Sequence, residues 1–162
     1  MKITKVECFA LLIPDFDADA CSSAQDNLVV KIHTDQDLFG IGETDTNPWG
    51  VKATIESPGT HAIGRGMTET LIGKDPTNVE GIWHELYEKT MMTSRRGLGI
   101  CAIGAIDMAL WDLCGKIYGQ PTWKLLGGSV RDYIVPYASL LPEGDNLKDY
   151  SDSLVKKVVK AK

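Results

Sequence analysis

Residues Arg96 to Gly128 read RGLGICAIGAIDMALWDLCGKIYGQPTWKLLGG, and this stretch decides the fold. Between Leu98 and Ile117 the only charged residues are Asp107, Asp112 and Lys116. A surface helix of that length would show a clear polar face, so the composition predicts a helix buried on most sides, roughly 30 Å long. Ala102, Gly104, Ala105, Ala109 and Gly115 recur along it and allow neighbouring backbones to come close, at a cost in helix propensity. Tyr118-Gly119-Gln120-Pro121 ends the helix, with a glycine suited to a left-handed cap and a proline that cannot extend the ladder. The two Asp and the Lys argue against a membrane span.

Upstream of this helix the pattern is first extended and then helical. Residues 2–13 carry Ile3, Val6, Phe9 and Leu11-Leu12-Ile13 before Pro14, as a strand would. The polar run DFDADACSSAQD at 15–26 is a loop, and NLVVKIHT (27–34) and LFGIGET (38–44) are two further strands joined by a turn at Asp35-Gln36-Asp37. Together these predict a three-stranded antiparallel meander. A second loop, Thr44–Gly50, leads to helical patterns at about 51–57, 60–72 and 77–92, the last with Val79, Ile82, Trp83, Leu86 and Tyr87 on one face.

Downstream, YIVPYASLL at Tyr133–Leu141 reads as a strand interrupted by Pro136, and Leu147–Lys162 as a helix with Leu154, Val155, Val158 and Val159 on one side. Strands followed by helices predict an α+β domain over roughly 1–118. One strand and one helix after it cannot bury both of their faces alone.

Composition narrows the function classes. The 162 residues are 43% hydrophobic and 24% charged with a net charge of −5, which is ordinary for a globular protein and a poor match to nucleic acid, whose phosphates require clustered cations. The one basic cluster is Lys156-Lys157 and Lys160-Ala161-Lys162. Cys8, Cys21, Cys101 and Cys114 form no CxxC pair and have no histidine at metal-ligand spacing. The apolar run near the N-terminus is too short for a signal sequence, so a cytoplasmic location and no membrane partner are expected. His33, His61 and His84 have no catalytic partner at a recognisable spacing and read as non-catalytic.

The pattern A102-x-G104-A105-I106-D107-x-A109-L110-x-D112-L113-x-G115-K116, continued by P121 and L125-L126-G127, resembles the first signature of the mandelate racemase and muconate lactonizing branch of the enolase superfamily. Thr122 departs from it, standing where an aliphatic residue is usual. The resemblance implies an N-terminal cap of three strands and a helical bundle over 1–118. It further implies a passage at 119–128, then the first strand (Tyr133–Leu140) and helix (Lys148–Lys162) of an incomplete β/α barrel.

In such enzymes the reaction begins with loss of a proton alpha to a carboxylate, and Mg²⁺ offsets the charge of the resulting enediolate. The resemblance therefore implies a Mg²⁺-dependent enzyme acting on a small carboxylate, most simply a sugar-acid dehydratase, with racemase or cycloisomerase as alternatives and a homo-oligomer as the expected assembly. Its catalytic groups and metal ligands are expected beyond residue 162. Lys160-x-Lys162 matches the family's lysine pair in letters but lies in a helix-period segment, so it reads as solvated surface. Asp107 and Asp112 are expected to make packing and capping contacts.

The part at hand is expected to select the substrate through two loops, Pro14–Gln25 and Thr44–Gly50. Phe16, Asp17, Thr44, Asp45 and Trp49 are the candidate contacts there, with Tyr137 and Ser139 from the first barrel strand. Arg95 or Arg96 is a weaker candidate for pairing with a distal carboxylate. The competing reading is a non-catalytic cap acting as a structural or interaction module.

Overall fold

A computed structural model describes residues 1–19, 25–94 and 96–161. The chain divides into two units, Met1–Gly128 and Ser129–Lys162.

The first unit opens with a three-stranded antiparallel sheet in the order β1 (Ile3–Leu12), β2 (Asp26–Thr34), β3 (Phe39–Thr44). The meander expected from the three extended runs is present. On β2 the alternation is complete: Leu28, Val30, Ile32 and Thr34 are buried, and the residues between them face outward. Burying each of the three apolar side chains contributes about 2 kcal/mol. The β2–β3 turn uses Asp37 in the left-handed region (φ 56°), a conformation that Asp tolerates better than most side chains.

Three helices follow: α1 (Pro48–Glu56), α2 (Met67–Leu71) and α3 (Val79–Lys89). Two of them depart from the sequence reading. The helix expected over 60–72 shrinks to Met67–Leu71, because His61–Gly64 closes a tight turn and Gly66 packs against the Ser57 carbonyl, where a Cβ would lie 2.3 Å from that oxygen. The loop expected to end at Gly50 is shorter than that. Asn47 accepts a hydrogen bond from Gly50 N at 3.0 Å and Pro48 occupies the first helical position, so α1 starts there.

The long helix is α4 (Leu98–Tyr118), as its composition predicted. Ala102, Ile103, Ala105, Ile106, Ala109, Leu110, Leu113 and Cys114 are buried, and the helix packs on β2, β3, α1 and α3. By length and hydropathy it could cross a membrane, but its buried side is the core of this domain. Gly119 (φ 61°) closes the helix in the left-handed region, with Gln120 N donating to Gly115 O at 2.9 Å. A short turn, α5 (Thr122–Leu125), follows.

The glycines of β3 explain how sheet and helix meet. A Cβ on Gly40 would lie 2.0 Å from Ala109 O, and one on Gly42 would lie 1.9 Å from Ala105 O. Strand backbone therefore rests directly on helix backbone. Two strand residues advance roughly 6.6 Å and four helical residues roughly 6 Å, so the two repeats stay in step where the strand runs antiparallel to the helix.

In the second unit, α6 (Leu147–Ala161) is capped by Asn146, whose Oδ1 accepts from Lys148 N (3.0 Å) and Asp149 N (3.1 Å). Lys157 donates to Leu141 O at 2.8 Å and pairs with Glu143. The strand expected at Tyr133–Leu140 is not formed: residues 133–143 carry no regular structure and pair with no strand among the described residues. An extended segment without a neighbour has no ladder to complete.

Candidate functional site

Sheet register decides which loops share an end of the first unit. Leu12 pairs with Asp26 across β1 and β2, and Leu28 pairs with Thr44 across β2 and β3. The β1–β2 loop and the chain leaving β3 are therefore neighbours at one end of the sheet. The two segments singled out in the sequence for substrate contact emerge together.

The β1–β2 loop is braced at its base by Gln25. Its Oε1 accepts from Asp17 N (2.7 Å), its Nε2 donates to Asp17 O (2.8 Å), and its backbone carbonyl accepts from Ile13 N (2.9 Å). The Asp17 carboxylate accepts from Asp19 N at 3.0 Å and so shapes the loop locally. Phe16 is 51% exposed. Cys21, within this loop, lies outside the described residues.

On the other side, Thr44 is half-buried, and its hydroxyl lies 3.4 Å from Thr46 N, which donates to it. Asp45 is exposed, and Asn47 is held at φ 39° while capping α1. Trp49 is 53% exposed on the first turn of α1 rather than on a loop. A residue on a capped turn is better fixed than one on a free loop, which suits an apolar wall.

Phe16, Asp17, Thr44, Asp45 and Trp49 thus belong to one end of the sheet. Tyr137 and Ser139 lie in the second unit, both exposed, with Tyr137 at 89%. Arg95 and Lys162 lie outside the described residues. Arg96 is exposed just before α4, and Lys160 is exposed in the last turn of α6. Gln25 and Asn47 were missed as shaping residues. Asn-Pro at the start of a helix was a readable signal for Asn47, whereas Gln25 had no local signature.

Several titratable groups of the first unit are engaged structurally. Glu7 is held below the ordinary carboxylate value by hydrogen bonds, first from Lys5 (2.6 Å) and then from His33 Nε2 (2.6 Å). His33 therefore has an acidic partner across the sheet that no local spacing announced. Burial raises the Cys8 thiol to about 11. Asp107, half-buried on α4, is raised by burial and secondarily by Glu80.

Asp112 and Lys116 cap the free edge of β3: Asp112 Oδ2 accepts from Ile41 N (2.8 Å), and Lys116 Nζ donates to Phe39 O (2.7 Å) and to Asp112 Oδ2 (2.7 Å). No group of three His, Cys, Asp or Glu side chains placed to hold a metal ion occurs among the described residues, so these residues do not fit Mg²⁺.

Residues 12–127 match the N-terminal domain of the mandelate racemase / muconate lactonizing enzyme family. A D-galactonate dehydratase family member from Marinomonas sp. is 42% identical over 113 residues, covering 68% of this chain and 26% of that protein. The L-rhamnonate dehydratase of Saccharopolyspora erythraea is 36% identical over 112 residues, covering 69% and 26%. The chain thus spans about a quarter of the length of these relatives. Among solved structures, the 3,6-anhydro-D-galactonate cycloisomerase of Zobellia galactanivorans superposes with a TM-score of 0.64 at 32% identity, covering 79% of this chain and 32% of that one. With the capping sheet, the signature helix and the match over 12–127 in agreement, the chain belongs to the mandelate racemase / muconate lactonizing enzyme family, whose N-terminal domain it carries.

Proposed function

We propose that this chain is the substrate-selecting part of a sugar-acid dehydratase, an enzyme that removes the proton alpha to a carboxylate and expels the beta hydroxyl. The observation that carries this reading is the 36% identity to an L-rhamnonate dehydratase, beside the 42% identity to a D-galactonate dehydratase family member. What supports it at the site is that one end of the sheet carries exposed aromatic side chains (Phe16, Trp49) and hydrogen-bonding ones (Asp17, Thr44, Asp45), a mixture that suits a polyhydroxylated chain. Loops that close over such a ligand also exclude water, which strengthens the charge interactions beneath them.

In this proposal residues 1–118 form the cap, 119–162 lead into a barrel, and Tyr137 and Ser139 face the substrate from it. Mg²⁺ dependence, a homo-oligomeric assembly and a cytoplasmic location belong to the same reading. The metal ligands and the groups that move protons belong, in this proposal, to residues other than those described. Likeness to the Zobellia cycloisomerase favours a second reading, isomerisation of a related acid.

The deciding experiment offers the full-length protein and Mg²⁺ to a panel that includes D-galactonate and L-rhamnonate, and follows the product by its ketone. Dehydration of a 2,3-dihydroxy acid leaves a 2-keto-3-deoxy acid. A ring-opened or epimeric product of unchanged mass would shift the reading to isomerisation, and full activity from residues 1–162 alone would overturn the division of labour.

A further inference from the structure

The edge of β3 is held in an unusual way. β1 and β3 are the two outer strands of the sheet, and such strands leave a row of backbone groups without sheet partners. On β3 two of those groups, Ile41 N–H and Phe39 C=O, are met by side chains one helical turn apart on α4, Asp112 and Lys116. These contacts repeat the step of the backbone packing: strand residues 39 and 41 meet helix residues 116 and 112, and strand residues 40 and 42 meet 109 and 105.

The same register is thus imposed twice, once by steric contact and once by directed hydrogen bonds. The steric contact sets how close strand and helix lie. The directed bonds add a hold on axial position at the strand edge, where the glycine contact does not reach.

Axial position of the strand sets the position of the connection that leaves it. Thr44 is three residues beyond Ile41, so the β3–α1 connection leaves the sheet about 10 Å from the clamp. A slip of one residue would carry Thr44 and Asp45 about 3.3 Å and turn each side chain to the opposite face. As an ion pair, Asp112 and Lys116 are more than a third exposed, so their mutual attraction contributes little to stability. Their distinguishing contribution is to the strand edge.

We propose that Asp112 and Lys116 are positioning residues: they lock β3 onto α4 and thereby set where Thr44, Asp45 and Trp49 stand at the substrate end of the domain. This rests on the reading that those three residues contact substrate.

The test compares Asp112→Ala, which removes the acceptor for Ile41 N–H, with Asp112→Asn, which keeps an acceptor and loses the charge. Lys116→Met keeps the side-chain stem and loses the donor to Phe39. Amide hydrogen exchange is read at 39–49 and along α4 in the chain, and KM and kcat for the sugar acid are read in the full-length protein.

In Asp112→Ala, protection at 39–49 is expected to fall about tenfold while α4 keeps its own, and KM to rise about tenfold with kcat within about twofold. Lys116→Met shifts both readouts the same way, and Asp112→Asn stays within about twofold of the parent. Exchange that rises equally in α4 and β3, an Asn variant as impaired as the Ala variant, or an unchanged KM despite local loosening would each overturn the proposal. If the parent protein turns over no sugar acid, the functional reading fails by itself. Exchange then decides the clamp: selective loss at 39–49 upholds its hold on the connection, and unchanged exchange refutes it.

Discussion

Replacing Gly42 with Ala adds one methyl group where the structure has no room for it. That carbon would sit 1.9 Å from Ala105 O, 2.8 Å from Ala109 N and 3.0 Å from Ala105 C. All three are backbone atoms of α4, so no side chain can rotate away. Restoring an ordinary contact requires strand and helix to part by about 1.5 Å, and a gap of even 0.5–1 Å forfeits a quarter to a half of each dispersion contact across it. The separation would also stretch the 2.8 Å bond from Ile41 to Asp112. Against this, Gly→Ala reduces the entropy of the unfolded chain, worth about 0.4–1 kcal/mol in favour of the variant.

The clash dominates. Overpacking a close-packed core costs about 1–3 kcal/mol, and a contact fixed on both sides by backbone belongs at the top of that range, so about 2 kcal/mol net of the entropy gain is expected. Thermal unfolding should then occur roughly 7 °C lower, and the urea midpoint should fall by about 1 M. The matched control is Gly104→Ala on the same helix, where an added Cβ meets nothing within 4 Å. There helix propensity acts alone and about 0.5–1 kcal/mol of stabilisation is expected. A Gly42→Ala variant within about 1 kcal/mol of the parent in urea unfolding would refute the backbone-on-backbone account of the β3–α4 interface.

Acid should lower the stability of the domain in part through its paired carboxylates. Glu7 (hydrogen-bonded first to Lys5, then His33), Asp75 (first to Thr77 N, then its hydroxyl) and Glu85 (first to Lys74) are all held below their ordinary values. The stability they contribute is present above the unfolded values of 3.8 to 4.5 and is lost as pH falls through the lower folded ones. A Tm–pH profile for Glu7→Gln should therefore flatten on the acid limb, and an unaltered limb would count against the pairing. Asp107 has the opposite sign, since burial and Glu80 raise it and its charged form disfavours the fold above that raised value. Asp107→Asn is expected to raise Tm at pH 7, with the gain shrinking toward pH 4, as scanning calorimetry would show. Cys8, raised to about 11, and the buried Cys114 should resist iodoacetamide at pH 8 in the folded chain and react once it is unfolded, with mass spectrometry locating the label.

Much of this protein is readable residue by residue. The buried helix follows from Leu98–Ile117, its stop from Gly119 and Pro121, and the meander from three short apolar runs with a turn between the last two. These depend on local periodicity and punctuation, which the chain carries in its own order. The failures were also local in origin. Over 60–72 the helix is cut to Met67–Leu71 because Gly66 presses against the distant Ser57 carbonyl, and Tyr133–Leu140 forms no strand because it has no partner strand among the described residues. The start of α1 at Pro48 was announced by Asn47-Pro48 and overlooked.

By itself, the amino-acid order determined the buried helix, the three-stranded meander and the family signature, and it nominated Phe16, Asp17, Thr44, Asp45 and Trp49 as candidate contacts. The predicted meander already puts the β1–β2 loop and the chain leaving β3 at one end of the sheet; tertiary structure fixed the register there, through the Leu12–Asp26 and Leu28–Thr44 pairings. It alone paired Glu7 with His33, and Gln25 with Asp17, through bonds whose partners are far apart in sequence or have no motif. It also gave Asp112 and Lys116 their task on the edge of β3, which lies 71 and 77 residues away along the chain. Periodicity records which side of an element is buried, whereas the identity of what it is buried against is set only when the elements pack.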